Sequence, residues 1–347
     1  MDFTQNLIHV TKSTREALQL INQLPNHLTL FVVDDQSKLL GTVTDGDIRR
    51  GLLSSKSIEA PVSEFMYSNF RYLKNNDFSL TEIRALKKLK IHLIPILNDA
   101  DQIIRIVNLK EKKSLLPLDA VIMAGGRGSR LRPLTDQTPK PLLKVGEKPI
   151  IEHNIDRLND FGVHDLTISV RYLGEQIEDY FKDGSEKGIR INYVYEEEPL
   201  GTMGALSLIS GFKNDYVLVM NSDLLTDINF EELYLELSEK GGDMIVASHP
   251  YEVNVPYGVL ESNGDVIVQL KEKPTYTYYA NAGIYLFKKE LISLVPKGEF
   301  FDAPHFIDLL IQKDKKVMHY PILGYWLDIG KHNDYEKAQR DIKHIQL

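Results

Sequence analysis

A chain of 347 residues with 43% hydrophobic and 26% charged residues has the composition of a folded globular protein and is longer than one ordinary domain. Its formal net charge of -8 argues against a nonspecific grip on nucleic acid or an anionic membrane, though not against a local cationic pocket. It has no cysteine, which excludes disulfides, thiolate metal sites and thiol catalysis.

The N-terminus, MDFTQNLIHVTKSTREALQL, is polar and lacks a basic-then-apolar leader, and no run of about eighteen apolar residues follows. A cytoplasmic chain without a membrane span is therefore expected. The first third repeats itself. Ser13-Thr14-Arg15-Glu16 has the S-x-x-E form of a helix capping box ahead of Ala17, Leu18, Ile21 and Leu24, and Ser79-Leu80-Thr81-Glu82 has the same form ahead of Ile83, Leu86 and Leu89. Strand, turn and strand follow each: LTLFVVDDQSKLLGTVT from Leu28, and HLIPILNDADQIIRIVN from His92. Asp34-Asp35 and Asn98-Asp99 supply the turns. Val33 falls on Leu97, a period of 64 residues, so two like units are predicted to pack together.

The string GTVTDGDIRRGLL that ends the first unit resembles a cystathionine-β-synthase (CBS) domain. The resemblance implies a paired module that binds an adenine nucleotide, with Asp47 on ribose hydroxyls and Thr44 at a helix start beside phosphate. Asn108 and Glu111 stand at the equivalent positions of the second unit, and Arg105 replaces Gly41, which implies one nucleotide site rather than two. The alternative is a pair that only braces or dimerises the protein; CBS pairs often associate face to face, which implies a homo-oligomer. The charge run and proline of KEKKSLLP, residues 110–117, mark a boundary. The expected organisation is a module over 1–112 (about 1–56 and 57–112), a linker over 113–117 and a second domain over 118–347.

From Leu118 onward strand-like and helix-like segments alternate. Strands are predicted at Leu118–Ala124, Asp165–Val170, Ile191–Tyr195 and Tyr216–Met220, with helices at Ile150–Asn159, Gly174–Phe181 and Gly204–Ile209. This alternation predicts an α/β fold with a mainly parallel sheet, whose ligands collect at the carboxyl ends of the strands. After the first strand come Gly125, Gly126 and Gly128, then Arg130, Arg132 and Lys140. Glycines let backbone N–H groups approach a phosphate chain, and the cations suit polyphosphate oxygens. The loop has neither the GxxxxGK[ST] order of a P-loop nor the GxGxxG dinucleotide fingerprint. Gly201 and Gly204 leave backbone open to a flat ring, and Thr202 is placed to cap the helix that follows. Asn221-Ser222-Asp223 sets a carboxylate at the end of a buried strand, where it can hold Mg²⁺ with phosphate oxygens.

The string GGxGxRLxPLT followed by PKPL resembles the opening of the sugar-1-phosphate nucleotidyltransferases, and the resemblance runs from 118 to about 340. It implies a Rossmann-like domain in which Ala124, Gly125, Gly126, Gly128, Ser129, Glu196, Gly201, Thr202 and Asn221 bind the nucleotide. Glu196 stands at the position that reads the base edge, and EEEPLGT is most similar to mannose-1-phosphate guanylyltransferases. Asp223, with Asp328 of the late Trp326-Leu327-Asp328-Ile329-Gly330 element, is implied to hold Mg²⁺. For the sugar, the resemblance implies Gly258, Glu272, Asn281 and Gly283 as contacts and Lys273 on the phosphate. Arg130, Lys140 and Lys273 form the implied catalytic set. Tyr276, Tyr278 and Tyr279 either wall the sugar site or face the core, with core favoured, and Trp326 reads as core. His249, His305 and His319 show no ligand spacing or carboxylate partner and read as structural.

These features imply transfer of a nucleotidyl group from an NTP, GTP favoured, to a hexose 1-phosphate, glucosamine 1-phosphate or mannose 1-phosphate by type. The combination with a CBS pair resembles bacterial glucosamine-1-phosphate guanylyltransferases. The rivals are a uridylyl- or cytidylyltransferase of the same fold and a non-catalytic nucleotide-sensing scaffold. No second activity is expected after the WLDIG element, because no hexapeptide repeat follows it.

Overall fold

The structure, a computed structural model, describes residues 4–24, 29–75 and 77–345. Two units emerge: Met1–Pro117 with Asp160–Gly162, and Leu118–Asn159 with Val163–Leu347. Among the described residues no helix is long and apolar enough to cross a membrane.

The first unit is built twice from one plan. Strands β1 (Leu7–His9), β2 (Thr29–Val33) and β3 (Leu39–Thr44) form a sheet, with α1 (Thr14–Gln23) crossing between the parallel pair β1 and β2. Helix α2 (Asp45–Leu53) follows β3. Strands β4 (Leu73–Lys74), β5 (Leu93–Leu97) and β6 (Ile103–Asn108) repeat the sheet around α3 (Leu80–Lys88). The predicted capping box forms at α1, where Ser13 accepts from the Glu16 N–H and Glu16 accepts from the Ser13 N–H; Ser79 likewise accepts from the Glu82 N–H. The expected first strand begins at Leu28, which lies outside the described residues.

The period of 64 holds down to single hydrogen bonds. Asp34 Oδ1 accepts from the N–H groups of Gln36 and Lys38, and Asn98 Oδ1 accepts from those of Ala100 and Gln102. Ser37 and Asp101 share a left-handed backbone (φ 61° and 60°), and each sheet is bulged at its equivalent step, Val32/Val33 and Ile96/Leu97. Each half buries its own core, Ile21, Leu30, Val32 and Val43 in one and Ile83, Ile94, Ile96 and Val107 in the other. Phe31 and Leu39 pack with Leu97 to join them. The halves differ after the third strand: β3 leads into α2, whereas β6 runs into a turn at residues 109–111.

The second unit is organised on β7 (Leu118–Ala124), a buried apolar strand. After it come the short hairpin β8 (Lys144–Val145) and β9 (Lys148–Pro149), α4 (Ile150–Asp160), β10 (Asp165–Val170), α5 (Gly174–Phe181), β11 (Arg190–Tyr195) and the single turn α6 (Gly201–Gly204). Next are β12 (Tyr216–Asn221), β13 (Leu224–Thr226), α7 (Phe230–Glu239), β14 (Met244–Asn254), β15 (Val259–Asn263), β16 (Val266–Lys271) and β17 (Thr275–Lys288). Helix α8 (Ala303–Gln312), β18 (Val317–Pro321), β19 (Trp326–Asp328) and α9 (His332–Asp341) complete it.

The main sheet has the order β11-β10-β7-β12-β17-β14-β18. Its pairs are parallel except those of β17, which runs against both β12 and β14, so the expected mainly parallel sheet is present in mixed form. The chain moves outward from β7 to β10 and β11, then returns to the other side of β7 with β12. The carboxyl ends of β7 and β12 therefore flank a switch in strand order, where such sheets open a crevice.

Three expectations change here. The helix predicted at Gly204–Ile209 begins earlier and continues as a 3-10 turn over Ala205–Leu208. Thr202 does not cap it: it lies inside the first turn, and the Met203 and Gly204 N–H groups donate to the Phe301 carbonyl at 2.9 and 2.7 Å instead. Tyr278 and Tyr279 are not core, being 60% and 56% exposed. They lie where β14 and β17 continue as a two-stranded ribbon past the registers of β12 and β18.

Candidate active site

A cavity of about 470 Å³ opens at the crevice between the ends of β7 and β12. Ala124 is the buried last residue of β7, and Gly125, Gly126, Gly128 and Ser129 turn away from it along the cavity wall. Two of these glycines are there for close approach. A Cβ on Gly125 would lie 2.8 Å from Glu196 Oε1, and one on Gly128 (φ 63°) would lie 2.9 Å from Lys140 Cβ. Glycine thus lets the loop fold down onto both the acid and the lysine.

Arg130 and Lys140 line the same cavity, as do Glu196, Gly201, Thr202, Asn221 and Asp223. Lys140, only 9% exposed, makes an ion pair with Asp223. Glu196 is buried at 8% exposure and is held from two sides, accepting from the Ser169 hydroxyl at 2.6 Å and from the Leu200 N–H at 3.0 Å.

Asp328 comes to Asp223 from the far end of the sequence. Strand β13 pairs antiparallel with β19, which sets Leu224 opposite Asp328, and the Ile329 N–H donates to the Asp223 carbonyl at 3.1 Å. Burial and the facing Asp223 push the Asp328 carboxyl above the usual range. Its Oδ1 is buried without a hydrogen-bond partner among the described residues. Two close carboxylates, one with an orphaned oxygen, have the chemistry of a divalent-cation site that takes its other ligands from substrate phosphate and water. Among the described residues no group of three or more acidic or histidine side chains forms a metal cage, so those two carboxylates are what the protein offers.

The sugar-side residues divide. Gly283 (φ 72°) lies against Asn221, whose Nδ2 would be 2.6 Å from a Cβ there, and its N–H donates to Asn281 Oδ1 at 2.9 Å. Gly258 and Glu272 adjoin each other, with Glu272 Oε2 3.2 Å from where a Gly258 Cβ would be, at the paired ends of β15 and β16. Glu272 and Lys273 occupy an exposed turn, and neither they nor Gly258 are on the cavity wall. Trp326 is half-buried rather than core. Its indole N–H donates to the Ala282 carbonyl at 3.0 Å and its ring stacks on His249, tying β17 and β14 to β19. His305 has a carboxylate partner after all, Asp302 at 2.8 Å, which caps α8.

Several cavity residues escaped the sequence reading: Arg127, Arg171, Pro199 and Phe300 also line it. Asn154 was missed too. It is 1% exposed on α4 and donates to the carbonyls of Ser222 (3.4 Å) and Leu224 (2.9 Å), gripping the backbone on both sides of Asp223. The signal for it was present, a polar residue on a helix face otherwise made of Ile151, Ile155 and Leu158.

In the first unit, Thr44 and Asp47 spend their side chains on each other. Asp47 Oδ2 accepts from the Thr44 N–H and hydroxyl at 2.9 and 2.6 Å, and Oδ1 pairs with Arg50. A cavity of about 520 Å³ there is walled by Phe31, Tyr67, Phe70, Arg71, Lys90 and His92, among others, and includes neither Thr44 nor Asp47.

The family model described as nucleotidyl transferase matches residues 119–345, nearly all of the second unit. The chain belongs to the nucleotidyl transferase family. The CBS domain model matches residues 2–54, the first half of the first unit. Among relatives of this nucleotidyl transferase, a UTP–glucose-1-phosphate uridylyltransferase of Synechocystis is 31% identical over 66% of this chain and 66% of its own length. A mannose-1-phosphate guanylyltransferase of Mycobacterium tuberculosis is 31% identical over 65% of this chain and 64% of its own. The match thus spans just under two thirds of each relative. The solved structure of HddC from Yersinia pseudotuberculosis aligns at a TM-score of 0.52 and 26% identity, covering 65% of this chain and 99% of that one. HddC has also been solved with GMP-PN.

Proposed function

We propose that this nucleotidyl transferase joins the nucleoside monophosphate of GTP to a hexose 1-phosphate, of the glucosamine 1-phosphate or mannose 1-phosphate type, and releases pyrophosphate. The relatives are named for both uridylyl and guanylyl transfer, so the base rests on one observation, the state of the Glu196 carboxylate. A carboxylate offers about four acceptor positions. Ser169 and Leu200 occupy two, one on each oxygen. The two left over suit the adjacent N1–H and N2–H of guanine, whereas uracil presents a single N–H. The guanine nucleotide bound to HddC accords with this reading.

In the reaction an oxygen of the sugar phosphate attacks the α-phosphorus in line. The new P–O bond forms as the bond to the β-phosphate oxygen breaks, and pyrophosphate carries the charge away. A phosphate monoester is already an anion at neutral pH, so no strong base is needed; catalysis is positioning and charge neutralisation. Backbone N–H groups of the glycine loop with Arg130 and Lys140 receive the triphosphate; Lys273 stands outside the cavity wall and would reach the sugar phosphate only if its exposed turn folded inward. Asp223 and Asp328 would hold Mg²⁺, which supplies positive charge to the α-phosphate.

The test is pyrophosphate release with Mg²⁺, crossing four NTPs against a panel of sugar 1-phosphates. GTP should give the highest kcat/KM in one column of that grid. Glu196→Gln replaces one acceptor by a donor and should lower kcat/KM for GTP by about 10- to 100-fold, with a much smaller effect on UTP. Preference of the wild type for UTP would remove guanine and leave nucleotidyl transfer standing.

The 520 Å³ cavity of the first unit supports an adenine nucleotide as regulator, because Tyr67 and Phe70 offer faces to a base beside the exposed cations Arg71 and Lys90. AMP or ATP added to the assay should change the rate and raise Tm. An unchanged rate and Tm at millimolar nucleotide would leave the module as a brace.

A further inference from the structure

We propose that Phe300 is the stacking face for the nucleobase, a contact that no motif residue supplies. The inference rests on the nucleotidyl-transfer reading but not on guanine, since every base has a π-face. Phe300 is 59% exposed, while the next residue turns inward: Phe301 packs edge-on against Phe306, which is fully buried. Among the described residues it is also the one aromatic ring lining the active-site cavity, whose other walls are Met123, glycines, charged groups, prolines and short polar side chains. A base whose edge is held by Glu196 still has a flat apolar face to cover, and Phe300 is the ring at hand.

The ring is held there by backbone. The Phe301 N–H donates to the Leu200 carbonyl at 2.7 Å, and the Phe301 carbonyl receives the Met203 and Gly204 N–H groups. These three bonds clip Phe301, and with it the backbone of the adjoining Phe300, onto the turn that carries Gly201 and Thr202. Gly201, at φ 74°, makes the clip possible: a Cβ there would meet the Phe301 carbonyl oxygen at 3.0 Å and Phe300 Cε2 at 3.2 Å. The missing side chain therefore admits the Phe300–Phe301 segment rather than leaving a bare face for a ligand. A ring carried on backbone fixed to the rim has only its side-chain torsions left to order on stacking, which favours binding.

The experiment is calorimetric binding, with Mg²⁺ and no sugar phosphate, of the NTP that the wild type prefers. Tripolyphosphate, which has the charge and no base, is the control. Phe300→Ala should weaken NTP binding by about 5- to 100-fold. Phe300→Leu should fall between it and wild type, and Phe300→Trp should restore binding to within about threefold. Tripolyphosphate should bind all four proteins alike. In turnover the alanine variant should raise KM for the NTP and leave KM for the sugar phosphate unmoved. NTP binding by Phe300→Ala within about twofold of wild type would overturn the stacking role alone. So would a parallel loss of tripolyphosphate, which would mean a distorted cavity. A wild type that binds no nucleotide would instead overturn the nucleotidyl-transfer reading, and this proposal with it.

Discussion

Asp223→Ala should lower turnover by at least about 100- to 1,000-fold while leaving the protein folded. The size follows from how many features converge on that carboxylate. It lies just past the end of the central strand β12 at the switch in strand order, pairs with Lys140 and sits beside Asp328 where β13 begins its pairing with β19. Removing it takes one of the two carboxylates from the proposed Mg²⁺ site and leaves Lys140, only 9% exposed, without its counter-charge. Both losses act on the α-phosphate, where charge develops. Circular dichroism should remain near wild type and Tm should fall by several degrees, because unpairing Lys140 is costly while Asn154 still grips the flanking carbonyls. The deciding measurement is kcat for pyrophosphate release at saturating NTP. Turnover within about tenfold of wild type would remove Asp223 from the chemistry.

Much of this site was legible in the sequence because a parallel sheet delivers its loops to one edge. Gly125 to Lys140 follow one strand, Glu196 to Thr202 another and Asp223 a third, so strand alternation set each at a carboxyl end and the family resemblance implied that they act together. The repeat in the first unit was legible for a similar reason: Asp34 and Asn98 cap their own turns locally, and a local signal repeats with the sequence. What failed were contacts between distant segments. Nothing near Gly201 announces that Phe301, a hundred positions later, will take the N–H groups Thr202 was expected to help satisfy. Tyr278 and Tyr279 read as core because aromatic residues usually are, yet the ribbon they occupy outruns the neighbouring strands that would cover it. Gly258, Glu272 and Lys273 sit on the same ribbon system, so the motif order that predicts a sugar role for them has no counterpart in the cavity lining.

Asp328→Asn is the sharper experiment, because it should raise stability and abolish function together. In the metal-free protein the Asp328 carboxyl is costly: burial and the facing Asp223 both oppose its charge, and Oδ1 has no hydrogen-bond partner among the described residues. A neutral amide of the same shape removes the repulsion. Without Mg²⁺ the variant should melt a few degrees above wild type, a gain of about 1 kcal/mol in a domain of this size. Titrating Mg²⁺ should then reverse the order of the pair. The wild type gains Tm as the cation neutralises its two carboxylates, and the variant gains little because one anionic ligand is gone. Turnover should fall by about 100-fold or more, comparable to loss of Asp223. A residue conserving only the fold at β19 would give the opposite pattern, a lower Tm with Mg²⁺-dependent turnover intact. The crossing of the two melting curves with added Mg²⁺ thus separates a carboxylate kept for a cation from one kept for packing, and needs no knowledge of which base or sugar the enzyme takes.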